Sequence, residues 1–230
     1  APTTSPTLSP TTAATTSTVD NVVANRAFQE DRDATGFPVT QATQQSGLYL
    51  PRSLGNTNGG CGQTHRYQTA YQWDNLGIPG LAIITSATLT LTVKGTTACA
   101  SNSAQVFLRA EQSVTPAILT TANGSISSRT RTNAYVIANG TRLGTDFGAI
   151  EVGESYTTVD FKTVIQELVD LPGWSSTGSR VTIFIEQRRA NEITNGVAAD
   201  NSPILREMEA YPTLFVNYTT DNTAPATANP

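Results

Sequence analysis

Ser86-Ala87-Thr88-Leu89-Thr90-Leu91-Thr92-Val93 places an apolar residue at every odd position and a hydroxylated one at every even position. Successive side chains of an extended chain point to opposite faces, so this stretch predicts a strand with one buried and one wet face. The same alternation sets Ala104, Val106, Leu108 and Ala110 against Gln105, Phe107, Arg109 and Glu111. Val181-Thr182-Ile183-Phe184-Ile185 and Leu214-Phe215-Val216-Asn217-Tyr218 add two further strands, and Gly47-Leu48-Tyr49-Leu50 and Arg66 to Asp74 two more. Such strands, separated by turn-rich spacers, predict an all-β fold, an antiparallel β-sandwich of jelly-roll-like character. One helix interrupts them. Phe161, Val164, Ile165, Leu168 and Val169 fall at helical spacing after Asp160, which is placed as an N-cap, and Pro172-Gly173 ends the run. This short helix is expected to cap one end of the sandwich. No fixed-period internal repeat is visible, so any repetition lies between chains.

The composition changes toward both ends. Residues 1–20, APTTSPTLSPTTAATTSTVD, hold Pro2, Pro6 and Pro10 among Thr and Ser with little apolar bulk. A segment of this kind cannot repay its ordering entropy alone and reads as an extended arm, a candidate for O-glycosylation. Residues 220–230 have the same character. The expected organisation is an N-terminal arm (1–20), a β-sandwich domain (21–219) and a C-terminal tail (220–230). Order in arms of this kind requires something to hold them, and neighbouring subunits or glycans are the candidates.

Charged residues are 14% of the chain and the formal net charge is −4. That balance offers no basic footprint for phosphates, so no nucleic-acid partner is expected. No apolar run of eighteen residues occurs, so no membrane insertion is expected either. The start at Ala1-Pro2-Thr3-Thr4, without Met, is what removal of a signal peptide leaves, although any other trimming would look the same, and an extracellular location is the expectation. Cys61 and Cys99 are the two cysteines, and their even number favours a disulfide over two buried thiols. That bond would close a loop of about 40 residues, for which chain-entropy reasoning gives roughly 3 to 4 kcal/mol.

Residues able to carry chemistry are few. His65 is the single histidine, in the turn-like Cys61-Gly62-Gln63-Thr64-His65, and a surface role is the stronger reading than a general base. Two of Asp74, Glu111, Glu154, Glu186 and Glu192 could form a carboxylate pair for sugar hydrolysis, against the competing expectation of solvated surface acids. Asp146, Glu151 and Glu154, or Asp200 and Asn201, carry oxygen ligands for Ca²⁺ without an EF-hand spacing. No cofactor, metal or catalytic residue is therefore assigned. Tyr67, Tyr71 and Trp73 share one face of a strand and Trp174 follows the helix. They offer an aromatic platform for a polysaccharide or, as the stronger alternative, core packing. Asn123, Asn139 and Asn217 head glycosylation sequons, with Asn217 the poorest acceptor because it lies in a strand.

Ile78-Pro79-Gly80-Leu81-Ala82-Ile83-Ile84-Thr85-Ser86-Ala87-Thr88-Leu89 resembles the pattern IPxGAxITSAxL of DNRLRE-type and related carbohydrate-binding-like β-sandwich modules, which occur in bacterial surface proteins and in phage virion proteins. Ile126 to Thr132 is similar to the family's ISSRTRT segment, Val164 to Trp174 to its VIQEIVxRPGW helix, and Pro212 to Tyr218 to its closing strand. The resemblance spans roughly residues 66 to 218 and implies the sandwich fold. Two departures, Leu171 at the helix end and Asn191 to Gly196 before the last strand, bear on any ligand that the family's turn binds.

Two roles follow as expectations. The first is a non-catalytic structural subunit of an extracellular assembly, a surface fibre or virion exterior, that self-associates into a homopolymer through its terminal segments. The second is a carbohydrate-binding, adhesive module. Val22, Val23 and Phe28 are the first bulky apolar residues after the arm. They either complete a neighbouring subunit's sheet or form the first strand of their own domain.

Overall fold

A computed structural model describes residues 15–32, 43–44, 47–49, 66–96, 105–139, 152–187, 206–209 and 211–220. The described chain forms an all-β sandwich of two antiparallel sheets with one short helix. The first sheet, here sheet A, has the order β1-β12-β6-β11-β4, with β9 also on β6. Its strands are β1 (Thr15–Val23), β4 (Gly47–Tyr49), β6 (Ile83–Thr96), β9 (Ser155–Thr157), β11 (Arg206–Glu209) and β12 (Thr213–Thr220). Sheet B has the order β3-β2-β5-β10-β7-β8. It comprises β2 (Arg26–Arg32), β3 (Thr43–Gln44), β5 (Arg66–Asp74), β7 (Gln105–Ala110), β8 (Val136–Asn139) and β10 (Arg180–Gln187).

The alternation of β6 does what the sequence requires. Ala87, Leu89, Leu91 and Val93 are buried, while Thr88, Thr90 and Thr92 remain partly open on the other face. β6 is long enough to pair with β12 through its first half, Thr90 opposite Thr213, and with β11 beyond, Val93 opposite Met208. Its inward residues meet Tyr71, Trp73, Leu108, Val181, Ile183 and Ile185 of sheet B in one continuous core.

The sequence expectation for residues 1–20 needs correction, because β1 begins at Thr15, inside the segment read as arm. Thr15 to Val19 pair in register with Thr220 to Val216. Thr, Ser and Val are good strand formers once a neighbouring strand is present, which local composition does not reveal. A register shift between Val19 and Val22 marks a β-bulge at Asp20-Asn21.

Helix α1 (Lys162–Val169) covers one end of the core with Val164, Ile165, Leu168 and Val169 fully buried. It starts one residue later than expected. Phe161 occupies the cap position with its side chain in the core, and the Asp160 carboxylate accepts from the Lys162 N–H at 2.9 Å and the Ala87 N–H at 2.9 Å. Beside it, the Thr158 hydroxyl accepts from the Leu89 N–H, and the Gln166 carboxamide accepts from the Ile84 N–H and donates to the Ala82 carbonyl. Three side chains thus stand in for a strand along this edge of β6. Backbone groups that would be an adhesive edge or buried orphans are satisfied instead.

Candidate interaction surface

The outer face of sheet B is closed, which the alternation of its strands did not predict. Val181 to Glu186 are buried on both sides. Residues 111 to 135 lie across this face as a third layer. A second core of Phe28, Ala70, Leu119, Ile126 and Phe184 forms beneath them. The large apolar Phe184 at an outward position of the otherwise alternating Val181–Ile185 is the sequence sign that both faces of this strand are covered.

Acids and arginines fasten this layer. Glu30, with no solvent exposure, accepts from the backbone N–H groups of Gly124, Ile126 and Ser127 at 3.2, 2.9 and 2.9 Å, and from the Ser127 hydroxyl at 2.8 Å. Glu111 pairs with Arg129, which also donates to the carbonyls of Ala117 and Ile118. Glu186 pairs with Arg131 at 2.6 Å, and that guanidinium stacks 3.6 Å over the Phe184 ring. The Gln72 amide reaches the Ala117 carbonyl and the Thr182 hydroxyl, both at 3.0 Å. Glu167 of α1 accepts from the N–H groups of Asn133 and Ala134. A buried charge is tolerated where such bonds replace its water.

The carboxylates proposed from sequence for sugar hydrolysis have other bonds. Asp74 bridges Arg26 at 2.8 Å and Arg180 at 2.5 Å. Burial acts to raise its pKa, but hydrogen bonds and charge from Arg180 and Arg26 outweigh it and hold the carboxyl below the usual range. Glu154 accepts from the Tyr156 hydroxyl at 2.9 Å. Among the described residues, no three acids, histidines or cysteines gather to hold a metal ion. Cys61, His65, Cys99, Asp146, Glu151, Glu192, Asp200 and Asn201 lie outside the described residues.

Of the two readings of the aromatic residues, core packing holds for Tyr71 and Trp73, and the platform does not. Tyr71 and Trp73 have no exposed surface and pack against each other in the core, their rings tilted by 54° at a centroid separation of 6.3 Å. Among the described residues the Tyr71 phenol has no hydrogen-bond partner, and burial raises its pKa. Trp174 packs against the core and donates its indole N–H to the Ile78 carbonyl at 2.9 Å. Tyr67 sits in β5 opposite Asp31. Large rings supply the volume needed between two sheets, and that demand places Tyr71 and Trp73 inside.

Of the sequons, Asn123 is exposed in the turn before Gly124, whose φ of +79° suits glycine. Asn139 ends β8 opposite Gln105. Asn217 is bound across the outer face of sheet A, accepting from the Thr18 hydroxyl at 2.8 Å and donating to Ser86 at 3.1 Å.

Among the described residues, that outer face of sheet A is the more exposed one. It carries Thr16 and Thr18 of β1, Asn217 and Thr219 of β12, Thr88, Thr90 and Thr92 of β6, and Ser155 and Thr157 of β9, all partly or fully exposed. Two exposed apolar side chains, Leu81 at 83% and Ile83 at 59%, lie where β6 begins, and Ile83 pairs with Thr219. Val22 and Val23 lie in β1 opposite Leu214 and Thr213 of the same chain, and Phe28 is buried in the second core. The intramolecular alternative therefore describes these three residues. Among the described strands β1 pairs with β12 alone, which leaves it as the edge of sheet A. Comparison with known proteins adds no relative, since no protein-family model and no curated protein matches the chain.

Proposed function

We propose that the chain is a non-catalytic structural subunit of an extracellular assembly, a surface fibre or virion exterior, in which copies associate with one another. The observation that carries this reading is the division of labour on the surface. The buried acids and their arginine partners are spent on fastening the layer over sheet B, whereas sheet A keeps a hydroxyl-lined face and ends in the edge strand β1. Edge strands with unpaired backbone groups recruit further strands unless something blunts them. The resemblance to modules of bacterial surface and virion proteins agrees with this role at the level of fold. No helix of the described residues is long and apolar enough to cross a membrane.

The adhesive carbohydrate-binding alternative has lost Tyr71 and Trp73 as a platform. Electron microscopy of the purified full chain tests the proposal. Filaments or closed shells support it. Single particles at every concentration, combined with retention on a polysaccharide column, would replace it by the alternative.

A further inference from the structure

We infer that the outer face of sheet A packs against the same face of a second copy. This inference rests on the proposed self-association and specifies its interface. Four observations on the described residues lead to it.

The face carries no charge. Along β6 the outward side chains from Ile83 to Thr92, and along β12 those from Thr213 to Thr219, include neither an acid nor a base. β1 and β9 continue the pattern with Thr16, Thr18, Ser155 and Thr157. The chain has 18 Asp and Glu and 14 Lys and Arg to distribute. A sheet face that meets only water ordinarily takes some of these charges, because they oppose aggregation. Charge returns at the rim, where Lys94 is the next outward residue of β6. An uncharged centre with a polar rim is the anatomy of an interface.

The polar groups of the face are bonded to one another. The Thr18 hydroxyl donates to Asn217 Oδ1 at 2.8 Å, and the Asn217 amide donates to the Ser86 hydroxyl at 3.1 Å, so one row links three strands. In other rows the hydroxyls of Thr90 and Thr157 lie 3.5 Å apart and those of Thr92 and Ser155 2.8 Å. Groups that already have partners within the face lose little when water leaves it.

Apolar side chains remain in view there. Phe215 stands among these rows opposite Thr88 and is only partly covered, and Ile83, opposite Thr219, is 59% exposed. Leu81, two residues ahead in the turn that enters β6, is 83% exposed and holds a φ of +63°. That backbone suits glycine or asparagine, and a leucine in it gains the single chain no burial. Aromatic and apolar anchors of this kind supply binding energy once a partner covers them.

The partner that fits is an identical face. Because the hydrogen bonds run within the face, its polar groups do not select a differently patterned partner. Two copies of a chain with a net charge of −4 meet here without the repulsion that charged surfaces would bring. Antiparallel sheets stack face to face about 10 Å apart with strands nearly aligned, so the contact repeats the way sheets pack inside a sandwich. A two-fold contact closes at two copies, and further contacts between such pairs build the larger assembly.

The test uses full-length variants with one added lysine. Thr88→Lys and Ile83→Lys place a charge on the face, whereas Ile118→Lys places the same charge on an exposed position of the layer over sheet B. Ile83 is exposed in the folded chain, so Ile83→Lys keeps the parent's melting temperature and serves even if Thr88→Lys folds poorly. The dissociation constant of the pair, from sedimentation equilibrium, is expected to rise about tenfold or more in Thr88→Lys and Ile83→Lys and to stay within about twofold of the parent in Ile118→Lys. Equal effects at all three positions, or none at Thr88 and Ile83, would overturn the inference while leaving self-association in place. A parent that stays monomeric at every concentration would refute the functional reading itself. If a neutral polysaccharide then retained that monomer and not Thr88→Lys, the face would belong to a glycan instead of a second copy.

Discussion

Asp74 shows how a residue that invites a catalytic reading is used by the fold. It joins β2, β5 and β10 by accepting from Arg26 and Arg180, and its carboxyl titrates below the ordinary range. A depressed folded-state pKa adds stability that is present above the unfolded value, near 3.9, and is lost as pH falls through the folded value. Asp74→Asn is therefore expected to cost on the order of 1 kcal/mol at neutral pH, with the difference from the parent shrinking below about pH 4. Urea denaturation at pH 7 and pH 3 measures both. A second expectation at this scale concerns Asn217, whose amide is held by Thr18 and Ser86. In a host that performs N-glycosylation, peptide mass spectrometry should find the exposed Asn123 occupied and Asn217 bare. Occupancy of Asn217 would mean that the β1–β12 pair opens before glycosylation is complete.

At the scale of elements, α1 and the strand it protects depend on each other. The periodicity of Phe161, Val164, Ile165, Leu168 and Val169 made the helix legible, and all five side chains are buried. The role of Gln166 was not legible, because its partners Ile84 and Ala82 lie more than eighty residues away. Leu168→Ala is expected to cost about 2 to 5 kcal/mol through the cavity it leaves. Gln166→Leu should cost about 1 to 3 kcal/mol, since it orphans a backbone donor and an acceptor at the edge of β6. Hydrogen exchange distinguishes the two. The Ile84 amide should lose protection in Gln166→Leu by local opening, whereas Leu168→Ala should weaken protection throughout the core. An unchanged melting temperature in Leu168→Ala would place the helix outside the cooperative unit. The layer over sheet B was hidden for the same reason as Gln166. Glu30 and Ser127, or Glu186 and Arg131, meet only after the sheet has formed, and neither member of a pair carries a local signal of the other.

For the whole molecule, the strands with strict alternation were readable because burial of one face imposes period two, as in β6 and β12. β1 was not, since Thr15 to Thr18 become a strand only against β12 at the far end of the chain. For Tyr71 and Trp73 the stronger reading of the sequence, core packing, is the one the structure shows, because the opposing sheet needs their volume. Cys61 and Cys99 remain a prediction from sequence. The intact chain should be two hydrogens lighter before reduction than after it, and two alkylatable thiols would remove the chemical argument for an oxidising compartment. The central claim is self-association through the outer face of sheet A. Sedimentation velocity of the full chain and of its Ile83→Lys variant, each over a wide concentration range, tests it most directly. The account predicts concentration-dependent association for the full chain and, for the variant, association only at concentrations about tenfold or more higher. Equal association by both chains, or a full-length chain that stays monomeric throughout, would contradict it.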